Sequence, residues 1–213
     1  MITIIGCNKG GAAKTTTAIN LAVALAEKGA DVCLVDADAQ RSASRWYAER
    51  EASEKKPQIT LIEKRDNISA TLRSLDEKYD HIIVDVAGRN SRELITGGTV
   101  AHQIIAPHQC SQLDLDTMVE LQQQIVAIRD LNPELKVYCY QTMATTNPLL
   151  QGNERHEFLE YVSEFDALTP LQSVACYRKV YRDVMSLGLS VIETDNLKAK
   201  EEVMSLYHEV FGC

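Results

Sequence analysis

Short runs of apolar, often β-branched residues alternate along the chain with longer stretches whose apolar positions recur every three or four residues. The short runs read as strands at residues 2–6, 31–36, 59–62, 81–86, 103–107, 136–141 and 172–176. Several are apolar throughout, the pattern of strands buried on both faces of a parallel sheet. The longer stretches predict helices at residues 15–28, 68–78, 91–101, 113–131, 153–165, 177–187 and 198–211. In the first, Ile19, Ala22, Leu25 and Ala26 share a face and Gly29 follows as a stop. In the last, Val203, Leu206, Tyr207, Val210 and Phe211 form a face suited to docking on a core. Strict alternation of strand and helix implies right-handed βαβ units. The fold class is therefore α/β: a doubly wound, mostly parallel sheet of about seven strands flanked by helices. No repeat, low-complexity tract or linker interrupts the pattern, so residues 1–213 read as one domain. The polar stretch at residues 50–57 reads as an exposed connection.

Composition narrows this little. Hydrophobic residues make up 45% and charged residues 24%, ordinary for a globular chain. The net charge of -8 argues against a general affinity for nucleic acid or anionic membrane. Contact with DNA would need a local basic patch. Arg178, Lys179 and Arg182 supply a candidate, with Arg178 and Arg182 on one face of a predicted helix; Lys198 and Lys200 open the last one. A solvated helix surface would look the same. The six cysteines, Cys7, Cys33, Cys110, Cys139, Cys176 and Cys213, include no C-x-x-C pair and no zinc-ligand spacing. Cys7, Cys33 and Cys139 sit in apolar runs as small core residues, and a reducing, cytoplasmic compartment is expected. The opening MITIIG is too short for a secretory signal, and no apolar run nears the ~20 residues that span a bilayer, so no membrane partner is expected.

Candidate chemistry begins after the first strand, in NKGGAAKTTT, residues 8–17. A strand–loop–helix junction offers free backbone N–H groups and the positive end of a helix dipole, where phosphate binds. Gly10 and Gly11 let a phosphate approach the backbone. In this reading Lys14 reaches the β and γ phosphates, the Thr15 hydroxyl ligates Mg²⁺, and Thr16 donates to the α phosphate. The match to G-x-x-x-x-G-K-[ST] is imperfect: Asn8 replaces the first glycine and Ala13 the second. If position 13 needs φ > 0, its methyl costs about 1 kcal/mol. Several charge-assisted phosphate contacts at roughly 1.5–3 kcal/mol each outweigh that. Two acidic strand ends agree with the loop. LVDADAQ places Asp36 and Asp38 after the second strand, and HIIVDVAG places Asp85 after another, where phosphate-loop enzymes hold Mg²⁺. Gly88 follows, its amide placed to face a γ-phosphate.

These residues resemble the ParA/MinD family of deviant Walker-A ATPases, most closely its small ParA-type plasmid partition members. The family's K-G-G-x-G-K-[ST]-T stands here as Lys9, Gly10, Gly11, Ala12, Ala13, Lys14, Thr15 and Thr16. Its D-x-D-P-Q stands as Asp36, Ala37, Asp38, Ala39 and Gln40. The stretch IIAPHQCSQLDLD is similar to its S-x-x-D segment, and RKVYRDVMSLGLSVIE to its R-x-x-Y and V-x-E region. The resemblance implies a slow, Mg²⁺-dependent ATP hydrolase. ATP would join two copies in a sandwich homodimer, with Lys9 crossing to the other copy's phosphates. Asp38 would orient the attacking water, and Asp85 would associate with Mg²⁺. Base contacts would come from residues 141–143 and 176–178, Met143 and Arg178 among them, though Met143 serves equally as a core residue. The resemblance further implies non-specific DNA binding, nucleoid association and stimulation by a centromere-binding adaptor. The same engine could carry another cargo, and a metabolic ATP-dependent enzyme could use the same scaffold.

Overall fold

The computed structural model describes residues 1–88, 91–110 and 115–212, the side chains of Leu115 and Asp116 excepted. Among them, strands β1 (Ile2–Ile5), β2 (Val32–Ala37), β3 (Thr60–Glu63), β4 (His81–Val86), β5 (Gln103–His108), β6 (Lys136–Ala144) and β7 (Thr169–Cys176) form one sheet. Its order is β3-β2-β4-β1-β5-β6-β7, and every pairing is parallel. The connecting helices are α1 (Lys14–Glu27), α2 (Ser42–Ala52), α3 (Ser69–Asp76), α4 (Arg92–Gly98), α5 (Leu115–Arg129), α6 (Pro148–Val162), α7 (Lys179–Asp183) and α8 (Leu197–Phe211). Two 3-10 turns, Val184–Leu187 and Val191–Glu193, lie between the last two. The predicted S-x-x-D match from Ser111 to Asp114, the predicted helix start at Leu113, and Cys213 lie outside the described residues.

Alternation along each strand builds two cores. Ile82, Val84 and Val86 of β4 pack on one side with Leu72, Leu94, Leu121 and Phe158. Ile83 faces the other, with Leu21, Trp46 and Val203. The period of two therefore sends Asp85 to the side that carries α1, α2 and α8, and Asp36 of β2 to the same side. Asp36 is opposite Asp85 in the register, and Ile5 at the end of β1 is opposite it on the other flank. The strand order reverses around β1, between β4 and β5, and such a point opens a crevice at the carboxyl ends of the strands.

Four elements differ from the sequence reading. Helix α1 is buried on all sides rather than along one stripe: the sheet covers one face, and α8 with residues 191–193 covers the other. Helix α2 had no counterpart in the reading, and Arg50, assigned to an exposed connection, is only 2% exposed. Only Ala43, Trp46 and Arg50 of α2 are buried, a stripe too thin to show as periodicity. Helix α6 begins at Pro148, capped by the Asn147 side chain, which accepts from the Leu149 N–H at 3.1 Å. The predicted helix at 177–187 is a single turn followed by a 3-10 turn, and Arg178 precedes it in extended conformation at φ −125°. The pairing of Arg178 with Arg182 on one helix face therefore fails. The core readings agree with the structure: Cys7, Cys33 and Cys139 are fully buried, and Val203, Leu206 and Tyr207 of α8 pack into the core.

Candidate functional site

The loop between β1 and α1 sits at the crevice. Residues Gly10 and Gly11 at its tip are exposed, and among the described residues, chain neighbours aside, no atom lies within 4 Å of where a Cβ would stand on either. Among the described residues nothing demands a bare backbone at Gly10; a closely approaching ligand would. Gly11 has φ +74° and Ala13 has φ +65°, both left-handed. The alanine thus occupies a glycine conformation, as the imperfect motif implied. The N–H groups of Ala13, Lys14, Thr15 and Thr16 make no hydrogen bond within the described residues, and the first intrahelical bond runs from the Thr17 N–H to the Ala13 carbonyl at 2.8 Å. No side chain caps the helix. These open donors and the helix dipole make a site for an anion.

The rest of the loop is anchored. Lys14 is buried, and its Nζ donates to the Lys9 carbonyl at 2.6 Å, folding the side chain back over the loop. Thr142 Oγ1 donates to the Ala12 carbonyl at 3.2 Å, and Gln109 Nε2 to the Gly11 carbonyl at 3.2 Å. The end of β4 closes on the loop from below: a Cβ on Gly88 would stand 3.3 Å from the Gly10 nitrogen. Lys9 is half-exposed beside the glycines.

Three carboxylates lie along this floor in different states. Asp36 is buried and saturated: one oxygen accepts from the Ser44 N–H at 2.7 Å and the Ser44 hydroxyl at 2.6 Å, and the other from the Asp38 N–H at 3.2 Å. Asp38 is half-exposed, one oxygen accepting from the Gln40 N–H at 2.8 Å. Asp85 is fully buried; among the described residues neither of its oxygens meets full hydrogen-bond geometry, and the Thr15 side chain is its one near donor. Burial pushes its carboxyl up to about 7; Thr15 opposes the rise, Asp36 and Asp38 add to it, and Lys14 opposes it. A buried acid so weakly paired is costly, and a cation beside it would restore its charged form. Among the described residues no group of three or more His, Cys, Asp or Glu is arranged to hold a metal alone. That composition suits Mg²⁺, which commonly takes one or two protein ligands and completes its shell with phosphate and water.

Beyond the loop a cavity of about 290 Å³ runs between α1, the ends of β6 and β7, α7 and α8. Ala13, Thr16 and Thr17 form its wall on the side of the loop; Met143 and Arg178, both named from sequence, line it, as do Lys179 and Arg182. Met143 has φ +53°, and its sulfur accepts from Gln109 Nε2 at 3.0 Å. Arg178 is held by Glu202 of α8, through Nε at 2.8 Å and Nη2 at 2.7 Å. The same carboxylate accepts from the Tyr181 hydroxyl at 2.9 Å and the Cys176 N–H at 3.2 Å. Lys179 is exposed and pairs with Asp183 at 3.4 Å. Arg178, Lys179 and Arg182 thus cluster at the mouth of the cavity, with two of the three charges already matched. Sequence reasoning missed Tyr140 and Glu202. Tyr140 is buried and lines the cavity, yet reads locally as a strand residue, and Glu202 is one of many helix acids.

A family model described as ATPase MipZ matches residues 1–138. The chain belongs to this family of ParA-like ATPases. Over 115 residues it is 39% identical to the maintenance of carboxysome distribution protein A of Gloeobacter kilaueensis, covering 53% of this chain and 50% of that one. Over 153 residues it is 26% identical to protein ParA of Rhizobium radiobacter, covering 72% of this chain and 68% of that one. The chain thus aligns with about half the length of the first relative and about two thirds of the second. An ATP complex of Cyanothece McdA superposes with a TM-score of 0.78 at 16% identity, covering 99% of this chain and 96% of that one. A cobyrinic acid a,c-diamide synthase from Mycobacterium smegmatis with bound ADP and magnesium superposes at 0.66 and 21% identity, covering 88% and 90%. At such identities the likeness is one of fold: the ParA/MinD-like form of the phosphate-loop NTPase. No helix among the described residues is long and apolar enough to cross a membrane.

Proposed function

We propose that the protein is an ATP hydrolase that positions or partitions a cargo, DNA in the first instance, by joining two copies around ATP. The observation that carries the reading is the juxtaposition of open amides at residues 13–16 with the buried, weakly paired Asp85 beside Thr15. An anion site and a cation site side by side suit a metal–triphosphate. Thr15 and Asp85, with Asp38 nearby, would hold Mg²⁺, which supplies charge neutralisation between the phosphates. Lys14 would swing from the Lys9 carbonyl to the phosphates. Gly10, Gly11, Ala12, Ala13 and Thr16 would cradle them through the backbone. Met143 and Arg178 would border the base in the adjoining cavity. Asp38, half-exposed beside the loop, would orient the attacking water.

Lys9, at the exposed tip, would reach the nucleotide of a second copy, so that the triphosphate acts as adhesive and its hydrolysis loosens the pair. Dimerisation would double the basic cluster of Arg178, Lys179 and Arg182 and switch on salt-sensitive, non-specific DNA binding. An adaptor protein bound to the cargo would stimulate turnover, placing the protein in the cytoplasm on the nucleoid. The relative named for carboxysome distribution favours a second reading, in which the same engine carries a protein assembly. A metabolic enzyme on this scaffold, as in the cobyrinic acid synthase, would show turnover indifferent to DNA and adaptor.

The test is sedimentation with Mg²⁺-ATP against ADP. The wild type is expected to dimerise with ATP alone, and Lys9→Ala to bind ATP yet stay monomeric. A monomer at saturating ATP in the wild type would overturn the reading. Asp38→Ala is expected to keep ATP affinity and lose about a hundredfold or more in turnover, the scale of one misplaced water; unimpaired phosphate release would remove Asp38 from its role.

A further inference from the structure

A chain of buried polar contacts runs from the candidate catalytic loop to the far end of α2 and back to α1. Residues 38 to 41, which carry Asp38, are the whole connection between β2 and α2. They have little slack: the Arg41 N–H donates to the Asp38 carbonyl at 3.0 Å, and Arg41 itself is left-handed at φ +53°. Asp36 fixes the first turn of α2 through Ser44. Any tilt of α2 must therefore displace Asp38.

The tilt is set at the other end by Arg50. Its guanidinium is buried over the Trp46 ring and reaches three residues of two segments: Pro57 O at 2.9 Å, and, in the second, Gly188 O at 2.9 Å and Glu193 at 3.0–3.1 Å. A Cβ on Gly188 would stand 2.2 Å from the Arg50 nitrogen, so the turn at 188 is pressed against the helix backbone. Glu193 also accepts from the Ser190 N–H at 2.7 Å. Ser190 Oγ and the Val191 N–H donate to Asn20 Oδ1 in α1, at 2.6 and 2.9 Å, and Asn20 Nδ2 donates to the Thr16 carbonyl at 2.7 Å. The segment 188–193 is thus wedged between α2 and the phosphate helix and is bonded to both.

We infer that Arg50 and Glu193 are positioning residues for hydrolysis: through the 188–193 wedge they set α2, and with it Asp38, against the first turn of α1. Adhesion alone would not need them. Apolar side chains of similar volume hold a buried contact as well as a desolvated ion pair does. A planar fork satisfied by three residues from two segments fixes orientation, which apolar packing does not. The inference rests on the proposed ATP hydrolysis, and its test has an arm that needs no nucleotide.

Two variants keep the test open to either answer. Arg50→Lys keeps the charge and loses the fork; Arg50→Met with Glu193→Met removes both charges, so no ion is left buried alone. Hydrogen exchange without nucleotide is read at the amides of Asp38, Gln40, Arg41 and Ser44. We expect exchange there to quicken about tenfold while the melting transition stays cooperative. With Mg²⁺-ATP, turnover should fall about tenfold at an ATP affinity within about twofold of wild type, as a misplaced group loses rate without losing binding. Unchanged exchange at these amides, or a double variant with wild-type turnover, would make the pair a local staple and overturn the inference. A wild type that hydrolyses no ATP would instead remove the functional reading, and the exchange arm would still decide whether α2 and the wedge govern residues 38 to 41.

Discussion

At its phosphate end the cleft is made of backbone; at its far end it is made of side chains. Around residues 10–16 the working parts are amides, two left-handed residues and a helix terminus, each placed by the chain immediately beside it. Around the cavity the working parts are Tyr140, Met143, Arg178 and Tyr181, brought together from β6, the turn after β7 and α7, with Arg178 and Tyr181 held by Glu202 of α8. Backbone geometry is rigid and indifferent to what the phosphates are attached to. Side-chain walls are adjustable and decide what fits. The first end should therefore supply affinity, and the second selection.

Lys14→Ala is the change expected to matter most. It removes a cation able to make charge-assisted bonds worth roughly 1.5–3 kcal/mol each, so affinity for Mg²⁺-ATP should fall about a hundredfold in calorimetry. Inorganic triphosphate should weaken as much, because the loop meets only phosphates. If ATP weakens and triphosphate does not, the division between the two ends is wrong.

Arg178→Ala attacks the other end and should do less. Glu202 keeps the Tyr181 hydroxyl and the Cys176 N–H, so no buried carboxylate is stranded. The loss is one partly exposed ion pair and some wall, about threefold to tenfold in ATP affinity, on the scale of roughly 1 kcal/mol for such contacts. Triphosphate affinity should be unchanged, which distinguishes a base-side defect from general loosening. Equal losses for both ligands would mean that Arg178 reaches the phosphates.

The same division explains what the sequence made legible. The phosphate end could be read because its parts are contiguous: strand, loop, glycines, lysine and helix follow one another within fifteen residues or so, each obeying a local rule. Strands were legible because apolar residues on both faces leave a solid run, as in Ile82, Ile83 and Val84 of β4. Helix α2 was hidden because one of its three buried positions is an arginine, and that arginine finds its partner 143 residues away, at Glu193. Glu202 was hidden for the same reason, its partners lying 21 to 26 residues upstream on other elements. Contiguous chemistry is written in the pattern, whereas pairs closed by the fold are written only in three dimensions.

The smallest effect tests whether the backbone end is built for its ligand or for the chain. Ala13 sits at φ +65° with no capping hydrogen bond. A left-handed alanine costs about 1–2 kcal/mol. Glycine would relieve that cost but lose about 0.5–1 kcal/mol in unfolded-state entropy. The balance favours Ala13→Gly by about 0.5 kcal/mol, a rise in melting temperature of roughly 1–2 °C for a chain of this size. With Mg²⁺-ATP the rise should persist undiminished, because the bound loop needs the same left-handed residue. A rise that vanishes on adding nucleotide would mean that the ligand holds a different loop geometry. The open amides of residues 13–16 would then belong to the free protein, and the phosphate end would be as adjustable as the cavity.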